Sequence, residues 1–381
     1  MKEIRSLAFG NLPNVKTFTF GHTSRDSLTL PDNTAAGKRN TGAFYVSSHV
    51  DTTVNSSVEA IQYGYKWHDG YDNRRLAPTL NAQDTWFRTY ASGGNYTNSS
   101  SYTAKLDEEK LKTITFADYH MPVAGETSWD ASDPSVPGTV TAYLSADKTS
   151  LILAGNGYGL IFANRDSAGT FSNLTALKTV SNTDLLDTRN ATTMADMFNC
   201  DESLANISVS TWNVSKVENM SNMFYFCDSL PSIDLKKNTC TAKDGSGQYT
   251  AWNTASLKNT GGMFMDYGGP NHSLNAVDTT GWDTSKLEDA SYMFMECRNL
   301  TAVKGIENWN VSSLKTANNM FQDCQSLESI NVANWKTTSL ENTSVMFSSC
   351  HSLRSIDITR WDMSKVTKSN AMSVSYTHLR A

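Results

Sequence analysis

Metal-binding chemistry is suggested at one place in the sequence, by a group of histidine and aspartate side chains. The group consists of His49, Asp51, His68, Asp69 and Asp72. Because Asp69 and Asp72 flank a glycine, the stretch WHDGYDN could form part of a Ca²⁺-binding loop. It lacks the alternating aspartates and the final glutamate of such a loop, so the pattern favours an ordinary turn over a Ca²⁺ site. We therefore assign neither a metal nor a cofactor from the sequence.

Catalytic signatures are missing from the sequence. It contains no nucleophile elbow, no phosphate-binding glycine loop, no zinc-protease helix motif and no dinucleotide-binding fingerprint. A pair of carboxylates that are distant in sequence would leave no such signature. From the residues alone we expect no catalytic residues and a protein that is not an enzyme.

The six cysteines are spaced in a way that indicates packing rather than chemistry. Four of them follow a Met-Phe methionine by four residues and a fifth follows by three: Cys227, Cys297, Cys324, Cys350 and Cys200. We predict that these five share one position as small buried apolar groups. A disulfide between two neighbours is the alternative, and metal binding is less favoured because no CxxC spacing occurs. Cys240 lies apart from the series.

The methionines and tryptophans recur with a fixed period. Met-Phe pairs begin at Met197, Met223, Met263, Met293, Met320 and Met346, with Met372 next in the series. The steps are 26, 40, 30, 27, 26 and 26 residues, which indicates a unit of 26 residues with two insertions. A tryptophan lies eleven residues before six of these methionines: Trp212, Trp252, Trp282, Trp309, Trp335 and Trp361. Such a period is typical of arrays in which each unit buries its apolar face against its neighbours. We expect the tryptophans to pack in the core, and stacking on glycans is the alternative if they are exposed.

Each unit is predicted to contain a short strand and then a short helix. The pattern Leu-x-x-Ile-x-Val, as in Leu327, Ile330 and Val332, indicates a strand with one buried face. Val217 and Met220 begin an apolar stripe with helical spacing that ends at Met-Phe. Three units open this segment with a capping box, at Ser215, Ser285 and Thr338. The predicted fold class is an α/β solenoid of leucine-rich-repeat-like stacked coils, with a short parallel strand and a short helix in each coil.

The predicted strands have an outward face that could bind a partner. Its polar residues are Ser208, Asp234, Asp278, Lys304, Asn331 and Asp357. Solenoids commonly bind partners along such an extended face. We take this column of six residues as the candidate binding site.

The repeat resembles a known family. Leu-x-x-Ile-x-Val followed by Met-x-x-Met-Phe-x-x-Cys-x-Ser-Leu is similar to the 26-residue repeat of bacterial surface proteins, which is related to BspA-like antigens, mycoplasma lipoprotein repeats and leucine-rich repeats. The resemblance covers residues 170–373 and departs from the family pattern at Tyr267 and at the two insertions. It implies a surface-attached bacterial interaction protein without catalytic residues.

The sequence divides into five parts. They are a possible remnant of an earlier repeat (1–23), an irregular β-rich region (24–137), a β-meander cap (138–169), the repeat region (170–373) and the stretch VSYTHLRA (374–381). The last part resembles the translation of a sequencing adapter. The start has no signal-peptide pattern, so either the protein is not exported or the chain lacks its true start. Together with the adapter-like end, we expect a chain truncated at both ends, which would account for the missing export signal.

Composition limits the possible partners. The net charge is -6, and 18% of the residues are charged without a basic patch, which argues against nucleic-acid binding. No apolar stretch reaches the length of a membrane span. The predicted function is that of a non-catalytic, monomeric, adhesin-like protein of the bacterial cell surface with a protein or glycan ligand. A structural stalk is one alternative, and a glycan-binding or glycan-active protein with its site in residues 24–140 is another.

Overall fold

The computed structural model describes residues 77–90 and 102–372, apart from positions 158, 244, 270 and 271. It also describes the backbone of two short strands nearer the N-terminus. The group His49, Asp51, His68, Asp69 and Asp72, and the stretch at 374–381, lie outside the described residues. The assignment of residues 1–23 to an earlier repeat and the division of the chain into five parts remain predictions.

The described residues form many short strands and two single-turn 3₁₀ helices. The strands are β1 Thr17–Phe18, β2 Thr53–Val54, β3 Arg88–Tyr90, β4 Tyr102–Ala104, β5 Thr113–Ala117, β6 Thr127–Asp130, β7 Thr141–Leu144, β8 Ser150–Ala154, β9 Ile161–Phe162, β10 Thr179–Ser181, β11 Leu186–Asp187, β12 Asn206–Ile207, β13 Ser232–Asp234, β14 Asn238–Thr241, β15 Gln248–Ala251, β16 Ala276–Asp278 and β17 Ala302–Lys304. The 3₁₀ helices are Thr183–Leu185 and Ile306–Asn308.

The predicted α/β solenoid of leucine-rich-repeat type is wrong. Within the described residues the chain forms no α-helix, and each segment predicted to be helical consists of turns. The predicted strands also form only in part. Strands β12, β13, β16 and β17 are present, whereas the equivalent segments around Ile330 and Ile356 form no strand.

Hydrogen bonding explains why the Met-Phe segments are not helical. Alternate amides donate hydrogen bonds to the next repeat. The N–H groups of Met220, Asn222 and Phe224 donate to the carbonyls at positions 259, 261 and 263, each at 2.9 Å. The intervening amides close four-residue β-turns, as the Met223 N–H does by donating to the Met220 carbonyl at 3.3 Å. The left-handed φ of 53° at Asn222 is incompatible with a helix. Since these N–H groups already have partners, the i→i−4 bonds of an α-helix do not form.

The residues of the predicted capping boxes form hydrogen bonds and ion pairs other than those of a helix cap. The backbone N–H of Ser215 donates to Asn213 Oδ1 at 3.1 Å, and the carboxylate of Glu218 pairs with Lys258 Nζ at 2.7 Å. The Ser-x-x-Glu pattern therefore serves turns and contacts between repeats rather than a helix start.

The repeats are held side by side by a ladder of backbone bridges and by two rows of aromatic rings. The parallel bridges join Asp166, Thr193, Asn219, Asn259, Asp289, Thr316, Asn342 and Lys368 in succession. One row stacks Phe171, Phe198, Phe224, Phe264, Phe294, Phe321 and Phe347, with ring centroids 5.3 to 5.7 Å apart. The other stacks Trp252, Trp282, Trp309, Trp335 and Trp361, 5.7 to 6.1 Å apart. We call residues 166–372 the repeat array.

A six-stranded mixed sheet joins the N-terminal part to this array. Its order is β12-β10-β5-β8-β7-β6, parallel from β12 to β8 and antiparallel from β8 to β6. Strands β10 and β12 belong to the first repeats, and β5 pairs directly with β10. One continuous buried core therefore runs from Leu80 to Trp361.

Candidate functional site

Five of the six residues of the candidate strand face are exposed, Asp278 is half-buried, and the face is partly in register. Asp234, Asp278 and Lys304 are successive partners in the parallel sheet β13-β16-β17. Neighbouring strands lie about 4.8 Å apart, so the three side chains form a row. Behind them, Ile233 and Val277 are buried in the core. Ser208, Asn331 and Asp357 are also exposed, but they lie outside this three-stranded sheet.

Most acceptors in this column also have a structural role. One side-chain oxygen of Asp234, Asp278 and Asp357 accepts the backbone N–H two residues later, at 3.1, 3.0 and 3.0 Å. Asn331 makes the same contact at 3.4 Å. These contacts are Asx turns, which end the strand segments. Each aspartate still carries a charge at the surface, so a ligand-binding role is compatible with the turn.

The tryptophans are not available to ligands. All six of the repeat tryptophans are buried, with at most 7% exposure at Trp361. Their indole N–H groups donate to the preceding repeat, as Trp335 Nε1 does to the Ile306 carbonyl at 3.0 Å. The row therefore forms core, and the glycan-stacking alternative does not apply to these residues.

Four cysteines lie in one buried column, as the spacing predicts. Cys227, Cys297, Cys324 and Cys350 donate from Sγ to the phenylalanine carbonyl of the preceding repeat, at 3.0 to 3.2 Å. Burial raises the pKa of these thiols, to about 12 for Cys350, so they stay protonated. The assignment of Cys200 to this column is wrong. Asp201 occupies the equivalent position, and Cys200 lies beside it in a left-handed turn.

Four asparagines of the repeat accept hydrogen bonds from the backbone. Oδ1 of Asn213, Asn219, Asn310 and Asn342 accepts the N–H two residues later, at 2.9 to 3.1 Å. These side chains therefore stabilise turns between and within the repeats.

A surface cleft of about 230 Å³ lies beside the hairpin β14–β15. Its lining includes Asp184, Lys243, Cys240 and Tyr249, and Asp184 forms an ion pair with Lys243. The Tyr249 hydroxyl donates to the Thr211 carbonyl at 2.5 Å. Burial and the neighbouring Cys240 raise the pKa of Tyr249 to about 12, so its hydroxyl stays protonated. These contacts hold the hairpin against the array.

A buried cluster of two carboxylates and an imidazole lies between two repeats. Asp228 follows the Met223 repeat segment, whereas Asp266 and His272 flank the loop that follows Met263. One possible ligand atom from each of the three lies within 4.8 Å of the other two. His272 Nδ1 is 3.0 Å from Asp266 Oδ2, and the His272 backbone N–H donates to Asp228 Oδ1 at 2.6 Å.

The electrostatics of this cluster are unusual for a repeat loop. Burial raises the pKa of the Asp266 carboxyl, and the charge of Asp228 adds to this effect, while His272 acts in the opposite direction. Oδ1 of Asp266 has no hydrogen-bond partner among the described residues. A buried carboxylate oxygen without a partner carries a desolvation cost that a bound cation could offset.

Little in the sequence points to this cluster. Asp228 and Asp266 are 38 positions apart, and the insertion that separates them has no ligand motif. The usable signal is the interruption at Tyr267, where the cysteine of the other repeats is missing. A departure from a regular repeat marks a place where the chain makes contacts of a different kind.

Comparison with known families bears on the repeat array. Over the described ranges, none of the helical segments has the length and apolarity that crossing a membrane requires. Comparison with curated proteins and with solved structures gave no match. A family model described as "Mycoplasma protein of unknown function, DUF285" matches residues 166–280 and 268–380, which together make up more than half of the chain. This match confirms the mycoplasma-type repeat in the resemblance and supports nothing more specific. The chain is thus a member of the DUF285 family of mycoplasma repeat proteins.

Proposed function

We propose that this protein is a non-catalytic, adhesin-like protein of the bacterial cell surface, whose strand face binds a protein ligand. The observation that carries the proposal is the in-register row Asp234, Asp278 and Lys304, in which Asp234 and Lys304 are exposed and Asp278 is half-buried, on a sheet whose other face is core. Such a row presents charges at a fixed spacing on a rigid support. A charged partner surface would therefore meet groups that lose little entropy on binding.

The composition of the surface around the row favours a polar protein partner. In the row itself, Asp234 pairs with Lys236 at 2.9 Å, and in later repeats Arg354 pairs with Glu328 at 3.0 Å. Both signs of charge are interspersed and exposed. Charges of this kind act mainly on the rate and specificity of association, so binding should weaken as salt increases.

The test removes charge without removing the turns. A triple variant, Asp234→Asn, Asp278→Asn and Lys304→Gln, keeps the Asx-turn acceptors and neutralises the row. Binding of the full chain to immobilised collagen, laminin and fibronectin is measured by surface plasmon resonance. For a matrix protein that binds the wild type, we expect at least a roughly tenfold loss of affinity in the variant, with an unchanged melting temperature.

A second column of exposed charges supplies the matched control. Glu218, Lys258 and Glu288 lie in neighbouring repeats, and Glu218 pairs with Lys258. Their replacement by glutamine removes the same number of charges elsewhere on the repeat surface, so binding should be retained. Equal loss of binding in both variants would contradict a role specific to the strand face.

A structural stalk is the second candidate, and the continuous stacking of rings along the array favours it. Stacks that run from Phe171 to Phe347 couple each repeat to the next. A stalk needs stiffness and no ligand. Absence of saturable binding to every matrix protein, in a well-folded chain, would favour the stalk over the adhesin.

A further inference from the structure

We propose that Asp228, Asp266 and His272 bind one divalent transition-metal ion of the Zn²⁺ type between the Met223 and Met263 repeats. The three residues are at least 92% buried, and their ligand atoms lie within 4.8 Å of one another. The proposal is independent of the strand face and of any ligand bound there.

The separations suit a small metal ion. Zinc binds imidazole nitrogen and carboxylate oxygen at about 2.0 to 2.2 Å, which places two tetrahedral ligands roughly 3.3 Å apart. His272 Nδ1 and Asp266 Oδ2 are 3.0 Å apart. A cation could therefore replace the hydrogen bond between them after a small movement of the side chains.

The cluster has an acceptor that the protein leaves unused. The Asp266 side chain is 7% exposed, and its Oδ1 has no hydrogen-bond partner among the described residues. A Cβ added to Gly269 would lie 2.5 Å from Asp228 Oδ1 and 2.8 Å from Asp266 Oδ1. Both oxygens thus point to the same side of Gly269, where the missing side chain leaves the carboxylates accessible to a shared ion.

The donor types select the class of metal. Ca²⁺ and Mg²⁺ prefer sites made of oxygen alone, whereas an imidazole nitrogen with carboxylates suits zinc and neighbouring transition metals. Two carboxylates would also balance the charge of a divalent cation. The adjacent Cys227 is a protonated thiol that donates to the Phe198 carbonyl. A ligand set of nitrogen and oxygen, without sulfur, is therefore expected.

The ion would join two repeats at a place where their regular contacts are interrupted. Asp228 belongs to one repeat, and Asp266 and His272 belong to the next. Because the unfolded chain does not bring the three groups together, binding should favour the folded state. At metal concentrations of about 100 times the dissociation constant, the melting temperature should rise by roughly 3 to 5 °C.

Cobalt provides a direct test on the full chain. After removal of metal with a chelator, the protein is titrated with Co²⁺, and absorption spectra report both stoichiometry and ligand type. We expect one Co²⁺ per chain, no thiolate-to-cobalt charge-transfer band, and displacement of Co²⁺ by Zn²⁺. A chain that binds no Co²⁺ saturably, or that shows the thiolate band, would refute the site.

Ligand substitutions test the residues. His272→Gln and Asp266→Asn should each lower the affinity by roughly 100-fold and abolish the metal-induced rise in melting temperature. The matched control is His120→Gln, because His120 pairs with Glu126 at 2.9 Å and no third ligand is near them in the part of the chain that the structure describes. Retained binding in both ligand variants would overturn the proposal. If either variant fails to fold, the proposal is tested by the Co²⁺ affinity of Asp228→Asn, which should also fall, and by the Co²⁺ titration of the wild type.

Discussion

Asp201 takes the place that a buried cysteine occupies in later repeats. It is fully buried, Oδ1 accepts the Leu174 N–H at 2.8 Å, and Oδ2 has no hydrogen-bond partner among the described residues. Burial raises the pKa of this carboxyl well above its usual value, although the Leu174 N–H and Arg88 act in the opposite direction. A raised pKa in the folded state means that the folded state favours the protonated carboxyl. Its contribution to stability is present at low pH and is lost as pH rises through the raised pKa.

At the residue scale, Asp201→Asn should therefore stabilise the protein at neutral pH. The amide keeps the acceptor for Leu174 and removes the buried charge, so we expect a gain of about 1 to 3 kcal/mol in unfolding free energy at pH 8. The gain should shrink towards pH 4. Urea unfolding at pH 4, 6 and 8 measures it. Asp147→Asn is the control, because hydrogen bonds from Ser145 and Thr149 lower the pKa of Asp147, and the change should bring no gain at pH 8. A variant at position 201 that is less stable at every pH would contradict this account.

At the element scale, each Met-Phe segment depends on a left-handed residue just before the methionine. The position is filled by Asp196, Asn222, Gly262, Tyr292, Asn319, Val345 and Ala371. Asparagine, aspartate and glycine tolerate this conformation, whereas a β-branched residue is strained in it. Val345, with a φ of 62°, is thus the most strained residue of the series.

Val345→Asn should relieve this strain. The valine is only half-buried, and its N–H bond to the Asn370 carbonyl depends on the backbone alone. We expect a gain of about 1 kcal/mol in unfolding free energy, measured by urea titration. Val345→Ala keeps Cβ and loses only the branch, so it should gain less. An unchanged or lower stability in Val345→Asn would show that the left-handed turn is not limiting there.

At the scale of the whole molecule, Arg88 joins the N-terminal part to the array. Its guanidinium contacts Asp84 at 2.7 Å, Glu108 at 2.9 Å and the Ser172 carbonyl at 2.8 Å. The side chain is 2% exposed. The charge is therefore buried where β3 contacts the first repeat.

Arg88→Leu should destabilise the whole chain. Loss of the cation leaves a buried carboxylate without its partner charge, which costs about 3 to 5 kcal/mol. The double variant Arg88→Leu with Asp84→Leu removes that carboxylate too and should recover part of the loss. Calorimetric and chemical unfolding of both variants measure the difference. A cost below about 1 kcal/mol for the single variant would contradict a structural role for the junction.

The amino-acid sequence alone predicts the period of the array and most of its core. Met223, Phe224 and Trp335 are buried where the repeat pattern predicts, since burial follows from apolar residues at fixed spacing. The conformation of the segments between them follows from tertiary contacts. Apolar residues three apart, such as Val217 and Met220, fit a helix and a series of four-residue β-turns equally well. The choice depends on whether each N–H bonds within its own segment or to the next repeat. The same limit applies to Asp228 and Asp266. Their contact joins two repeats in a way that the common repeat pattern does not include, so the order of residues along the chain does not predict it.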